Sequence, residues 1–302
     1  MGSSEVLPGD SYQYGLCAVV TVGYQLFFYA IAATLKFDKV TDLAGGSNFV
    51  VLNVLTMLLS STSFPAQVAV NALVIAWGCR LSLFLFYRII MIGEDNRFDT
   101  MREDPIKFLG FWIFQMLWVY IVSLPYIFLN GCNGEEGELS VGEIILIALS
   151  SIGLVIESIA DQSKFNFKQA KKTDWCAESV WKYSRHPNYF GEILFWWGIF
   201  GLCTGQMNDN HQWAYFTILS PLFITTLLLF ISGMPILEPS MHKRYHGRDD
   251  YHEYLKSTSI LIPLPNVVYR NTPDWVKKWF LFEYDIYKTE LIGDSNEKSS
   301  LT

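Results

Sequence analysis

Residues 181–192 read WKYSRHPNYFGE and place Arg185, His186, Asn188 and Glu192 close together. Pro187 disfavours a helical His186 and suits the first turn of a helix, so the run predicts a helix beginning about there. The free N–H groups and positive dipole end of that helix would point toward Arg185 and His186, an arrangement that suits an anion such as phosphate. Asn188 and Glu192 stand four apart on one helix face, with Glu192 a turn deeper beside Trp196. A carboxylate at that depth needs a partner. A plainer account of the same residues has Arg185 enforcing membrane topology and Glu192 pairing with a neighbouring cation.

Three more polar clusters accompany it. Glu157, Asp161, Lys164 and Lys168 follow one helical stripe, two carboxylates before two cations. They fit a solvated helix end with internal ion pairs, or a ribose held by Asp161 and a phosphate met by Lys168. Residues 84–88 (FLFYR) run into 93–98 (GEDNRF), a charged loop directly after an apolar stretch, with Arg80 some two turns inside that stretch. At that depth Arg80 must snorkel or line a wet cavity. The last cluster is 237–245 (LEPSMHKRY), just beyond the final apolar run.

The elements that must carry these residues are membrane helices. Apolar runs at 14–35, 48–61, 65–92, 108–130, 141–159, 189–205 and 213–233 are mostly 17 to 28 residues long, enough to cross a ~30 Å hydrocarbon layer. The run at 48–61 is short. Basic residues provide an independent check, because cytoplasmic loops accumulate Lys and Arg. If the runs are spans, all but Arg80 of the 22 Lys and Arg fall on one side. The expected fold is therefore an all-α bundle of about seven transmembrane spans, N-terminus outside and C-terminus cytosolic, with all four polar clusters on the cytosolic side.

Residues 1–265 read as one membrane domain. Residues 266–302 read as a cytosolic amphipathic segment and disordered tail, with Trp275, Trp279, Phe280 and Phe282 beside Lys277 and Lys278 in a stretch suited to the membrane interface. The segment 161–186 is also expected to be cytosolic. Residues 1–13 lack the basic start of a cleaved signal, so the first span should be retained. The five cysteines offer no disulfide pair on the outer side and no metal-ligand spacing, so no structural metal is expected. A net charge of −7 is split between two compartments and gives no hint of nucleic acid.

NYFGE at 188–192 resembles the steroid 5-alpha-reductase signature, and RHPNYxG from Arg185 is similar to the corresponding run of the sterol carbon–carbon double-bond reductases. Closest is the branch of steroid-5-alpha-reductase-like membrane proteins whose members share DLAGGSNF (42–49), GxDxRF (93–98), IESxAD (156–161), the 181–192 run and SGxPxLE (232–238). These matches cover roughly residues 40–265. The resemblance implies NADPH held between helix ends on the cytosolic side, and hydride delivery to an enone or similar polarised double bond in a lipid-accessible cavity of an endoplasmic reticulum protein. It carries Asp161, Asn188 and Glu192 onto cofactor-contacting positions and sets Lys168 near a position usually basic. Arg185 and His186 match the sterol-reductase version, and Arg80 matches an arginine of the third span. With the neighbouring polar clusters, the expected cofactor-binding set is Arg80, Arg88, Asp95, Arg97, Asp161, Lys168, Tyr183, Arg185, His186, Asn188, Tyr189, Glu238, Arg244 and Tyr245. Glu192 and Tyr87 are the candidate catalytic residues. One position departs from the pattern: three residues before Arg80 those enzymes have a tyrosine that polarises the substrate carbonyl, and this chain has Trp77, which has no O–H to donate.

The expected activity is NADPH-dependent reduction of a carbon–carbon double bond in a lipophilic substrate, with that substrate and membrane lipids as partners. A membrane methyltransferase using S-adenosylmethionine is the rival enzyme, since isoprenylcysteine and phospholipid methyltransferases use a related RHPxYxG run. Asn188, Glu192 and the cations at 168–172 favour the reductase, because NADPH brings phosphates and the methyl donor brings none. A seven-span receptor, transporter or lipid-binding protein fits the orientation, yet the polar density lies in loops on one side instead of across the midplane.

Overall fold

The computed structural model describes residues 6–37, 39–92, 104–132, 134, 137–170, 173–207 and 211–288. Among these the chain is helical, with one isolated parallel bridge between Ser184 and Ser259. Five long helices open the chain: α1 (Tyr14–Leu35), α2 (Val40–Leu59), α3 (Pro65–Ile92), α4 (Pro105–Gly131) and α5 (Val141–Ala170). They are followed by α6 (Pro187–Thr204), α7 (Leu219–Thr226), α8 (Met234–Tyr245), α9 (Asp249–Ser257), α10 (Asn266–Asn271) and α11 (Asp274–Phe280).

By length and composition, α1 to α5 and the composite helical stretch Gln212–Tyr245 are apolar enough to cross a membrane, as befits an integral membrane protein. These are six among the described residues, where seven were expected. The remaining segment lies in α6, whose 18 residues open on Pro187, Asn188 and Glu192 and which is not among the six.

The chain divides into two compact units, one of Met1–Ser151 with Phe195–Ile224 and one of Ile152–Leu194 with Thr225–Thr302. In the first, α1 to α4 pack as a bundle. The short span expected at 48–61 is in fact the 20-residue α2, whose first turns contain the DLAGGSNF residues. Small side chains there serve helix packing. A Cβ on Gly46 would lie 2.5 Å from Ser82 Oγ, and one on Gly78 would lie 2.7 Å from Val50 Cγ2, so α2 and α3 approach where only hydrogen fits.

Polar residues inside this bundle are paired with one another, as a low-dielectric setting demands. Gln25 Nε2 donates to Asn48 Oδ1 at 3.0 Å, and Gln115 Nε2 donates to Gln25 Oε1 at 2.8 Å. A second layer joins Asn53, Asn71 and Asn130, with Asn130 Nδ2 also reaching Thr56 Oγ1 at 2.9 Å. Trp77 is fully buried among aromatic rings, stacked on Phe195 at 5.8 Å and edge-on to Phe49 and Trp196 at 5.1 and 4.9 Å.

In the second unit, α5 runs on to Ala170, so the segment expected from residue 161 begins as a continuation of the helix. The stripe Glu157, Asp161, Lys164 and Lys168 is therefore helical throughout. The C-terminal amphipathic stretch is α11, ending at Phe280, with Trp275, Trp279 and Phe280 exposed. It is followed by a turn in which Tyr287 donates its hydroxyl to the Leu229 carbonyl at 2.9 Å.

The α2–α3 approach gives the first expectation. Gly46→Leu forces a side chain into Ser82 and should lower the melting temperature of the detergent-solubilised protein by the equivalent of at least about 1–3 kcal/mol. Gly23→Leu on α1, where a Cβ meets nothing within 4 Å, should leave it unchanged or raise it slightly.

Candidate functional site

The second unit holds the site, and its starting point is the stretch before Pro187. Pro187 disfavours a helical residue before it, and after a 3-10 turn at Ser179–Lys182 the chain up to the proline is fixed by pairing with residues 259–264. Arg185 N–H donates to the Ser259 carbonyl at 2.8 Å, Leu264 N–H to Tyr183 O at 3.2 Å, and Ser184 Oγ to Leu261 O at 2.7 Å. Tyr254 donates its hydroxyl to Trp181 O at 2.8 Å. α6 then begins at Pro187 as the sequence predicts. Its entry is set by Gly191: a Cβ there would stand 2.6 Å from the Gly153 carbonyl oxygen and 2.8 Å from Glu157 N, so α5 and α6 touch backbone to backbone.

This frame buries Arg185. Its Nη1 donates to Glu238 Oε2 at 2.6 Å, and its Nη2 reaches both oxygens of Glu283 at 2.5 Å. Tyr269 donates its hydroxyl to the same Glu283 at 2.7 Å. Burial opposes a charged guanidinium, yet the two carboxylates outweigh it and raise Arg185 above its ordinary range, so it stays charged. The expected exposed cation meeting phosphate is thus a correction: Arg185 is 7% exposed, with both terminal nitrogens committed to carboxylates.

His186 completes the cluster. Its Nε2 lies 2.6 Å from Glu238 Oε1, and its ring stacks on Tyr189 at 5.2 Å with planes 7° apart. Burial lowers its pKa from the ordinary value, more than Glu238 restores, which leaves a neutral imidazole. An ionised carboxylate only accepts, so the proton is assigned to Nε2 and Nδ1 becomes a buried acceptor without a partner.

A cavity of about 70 Å³ opens beside this cluster, lined by Lys164, Lys168, Trp175, Arg185, His186 and Glu238, with Trp181, Tyr251 and Tyr254 among the remaining walls. Lys164 Nζ sits 4.2 Å above the Trp181 ring, and Lys168 Nζ donates to the Asp174 carbonyl. Three lining residues carry buried atoms with no partner: Arg185 Nε, Trp175 Nε1 and His186 Nδ1. A buried polar atom left unsatisfied costs about 1–3 kcal/mol. Two N–H donors and two ammonium groups around one small space suit an anionic group of phosphate size, which is far smaller than a dinucleotide.

The cavity brings together four of the expected cofactor residues, Lys168, Arg185, His186 and Glu238. Others lie elsewhere in the same unit. Asn188 has a buried Oδ1 without a partner, one helical turn before the half-buried Glu192. Tyr245 donates to the Thr173 carbonyl at 2.9 Å and packs on Trp175 and Tyr251, which is a structural use of its ring. Tyr183 is exposed beneath Lys182, Arg244 is exposed, and Asp161 is half-buried on α5. Arg80, Tyr87 and Arg88 stand on α3 in the first unit, where Arg88 pairs with Asp42 at 3.4 Å and Tyr87 is half exposed. Asp95 and Arg97 lie outside the described residues.

Glu283 and an aromatic group around Trp175 were not foreseen. Glu283 lies 98 residues from the arginine it binds, a separation that no spacing rule reads. Trp175 and its partners Tyr251 and Tyr254 could have been noticed as an aromatic cluster between charged residues, but nothing local ties them to Arg185.

The family described as "Protein of unknown function (DUF1295)" matches residues 28–258, most of the chain, and the chain belongs to that family. No curated protein and no solved structure matches it.

The buried neutral His186 gives a pH expectation. Its folded-state pKa lies below the unfolded value of about 6.5, so the unfolded chain takes up the proton first as the pH falls. Stability contributed at neutral pH is lost below about pH 6.5. The charges facing the ring are Glu238, Arg185 and Lys164. His186→Gln keeps an N–H for Glu238 but does not titrate. Urea unfolding between pH 5 and 7.5 should show a shallower pH slope for that variant than for the wild type.

Proposed function

We propose that this member of the DUF1295 family is an NADPH-dependent membrane reductase that saturates a polarised carbon–carbon double bond in a lipophilic substrate. The observation that carries the reading is the small cavity where Lys164 and Lys168 meet unpartnered N–H donors of Arg185 and Trp175. Such a space suits a phosphate, so a nucleotide would enter it by one end. The resemblance of residues 181–192 to the steroid 5-alpha-reductase signature points the same way, and it is the ground for expecting an endoplasmic reticulum location with this side facing the cytosol.

In this reading the buried Arg185 does not itself grip phosphate through its terminal nitrogens. It fixes Glu238 and Glu283, and through Glu238 it orients His186 beside the cavity. Lys164 and Lys168 supply the long-range attraction. Asn188 Oδ1, a buried acceptor awaiting a donor, suits the carboxamide N–H of a nicotinamide, and Glu192, one turn on, is the carboxylate that would shape the reacting end. When bound, NADPH supplies a hydride to one carbon of the double bond; the neighbouring carbon takes a proton.

A thermal shift in detergent decides between the enzymes. NADPH at 100 times its Kd should stabilise the protein by about 2.7 kcal/mol, and S-adenosylmethionine should give no shift. A shift with the methyl donor alone would replace the reductase by the methyltransferase. Lys168→Gln should weaken NADPH binding more at low salt than at high salt, because part of the attraction is screened, while Asn188→Leu should weaken it equally at both.

A further inference from the structure

A second cavity, of about 430 Å³, lies in the first unit between α2 and α3, and nothing in the reductase reading uses it. Its lining is graded along α3. Ser60, Thr62, Ser63 and Gln67 stand at the end nearest the α2–α3 connection, Asn71 follows one turn in, and Val68, Ala72, Ile75 and Met57 form the rest. From Gln67 to Ile75 the helix rises about 12 Å. Val68 is 54% and Met57 39% exposed, although both belong to helices apolar enough to span a membrane. The groove therefore opens sideways, polar at its loop end and apolar along its length.

The floor is the amide layer already described, whose pairing leaves Asn53 Oδ1 and Gln67 Oε1 over, and of these two residues Gln67 lines the groove. Gln67 Nε2 donates to Ser60 Oγ at 2.8 Å and to Asn130 Oδ1 at 3.1 Å. Asn71 Nδ2 donates to the same Asn130 Oδ1, while Asn71 Oδ1 accepts from Asn53 and Asn130. The donors and acceptors interlock, so the orientation of each amide is set by its neighbours. Gln67 is 2% exposed, and its Oε1 has no partner; it is the unsatisfied buried side-chain atom of the groove's lining.

We propose that this groove binds a membrane lipid alcohol, whose hydroxyl donates to Gln67 Oε1 while its apolar body lies along Val68, Ala72 and Ile75. The unpaired atom is an acceptor, so the ligand must bring a donor. None of the lining residues is charged, so an ammonium headgroup would have no counter-charge and a neutral O–H is the donor that fits. The apolar walls disfavour a chain of waters and match a hydrocarbon body that continues into the bilayer. The graded lining also orients the ligand as an amphiphile lies in a membrane, hydroxyl toward the helix ends.

The test uses the full chain in dioleoylphosphatidylcholine vesicles carrying a diazirine-bearing cholesterol, and in a parallel arm the same probe as its 3-methyl ether. After irradiation, labelled peptides are mapped by mass spectrometry. The free alcohol should label residues 57–75 at least about fivefold more than the ether. Ala72→Phe, which fills the groove from an exposed wall position without touching the amide layer, should abolish that label while melting like the wild type. Competition with unlabelled cholesterol and with 1,2-dioleoylglycerol identifies the source of the alcohol, and displacement by either one supports the site. Equal labelling by alcohol and ether, labelling outside 57–75, or no displacement by either competitor overturns the proposal. Should Ala72→Phe fail to fold, the alcohol-to-ether ratio on the wild type still decides.

Discussion

One guanidinium buried between two carboxylates organises the second unit. Arg185 cannot leave water unless both ends of its fork find oxygen, and Glu238 and Glu283 meet it from α8 and from the turn after α11. Desolvating such a group is costly enough that losing one partner of a buried pair typically destabilises a protein by about 3–5 kcal/mol. Three stretches of chain are thereby held to one point: the extended segment before Pro187, the start of α8 and residues after α11. The His186 ring and the small cavity beside it owe their geometry to that attachment.

The same rule acts in the first unit without charges. Inside helices that can span a membrane, amides have no water to turn to, so Gln25, Asn48 and Gln115 pair among themselves, as do Asn53, Asn71 and Asn130. Where helices touch, the side chain shrinks to hydrogen, at Gly46 against Ser82 and, in the other unit, at Gly191 against Gly153. Against that pairing, the unpartnered atoms that line a cavity stand out. His186 Nδ1, Trp175 Nε1 and Arg185 Nε surround one cavity, and Gln67 Oε1 lies in the other.

Much of the helix content was legible because hydrocarbon thickness imposes a run length that composition displays directly. Pro187 marked the start of α6 for a local steric reason, and the 157–168 stripe proved helical because periodicity is local too. The span read at 48–61 begins earlier, at Val40, because the glycines and serine of DLAGGSNF lower the local hydropathy while their small size serves packing against Ser82. α6 was read as a span on run length, although its polar first turn sets it apart from the six strongly apolar helices. In the site, Lys168, Arg185, His186 and Glu238 were named in advance, but the burial of Arg185 was not. Its second carboxylate, Glu283, sits in a segment whose aromatic residues suggested only a membrane surface. Long-range ion pairs leave no periodic trace in a sequence.

Arg185 and Glu238 act as a single buried unit and not as separate surface groups. A double-mutant cycle of Arg185→Met and Glu238→Gln, with unfolding free energies taken in detergent without nucleotide, measures that directly. Each single variant should be strongly destabilised and the double variant no worse than the poorer single, a coupling of about 2 kcal/mol or more. Additivity of the two losses to within about 0.5 kcal/mol would contradict it.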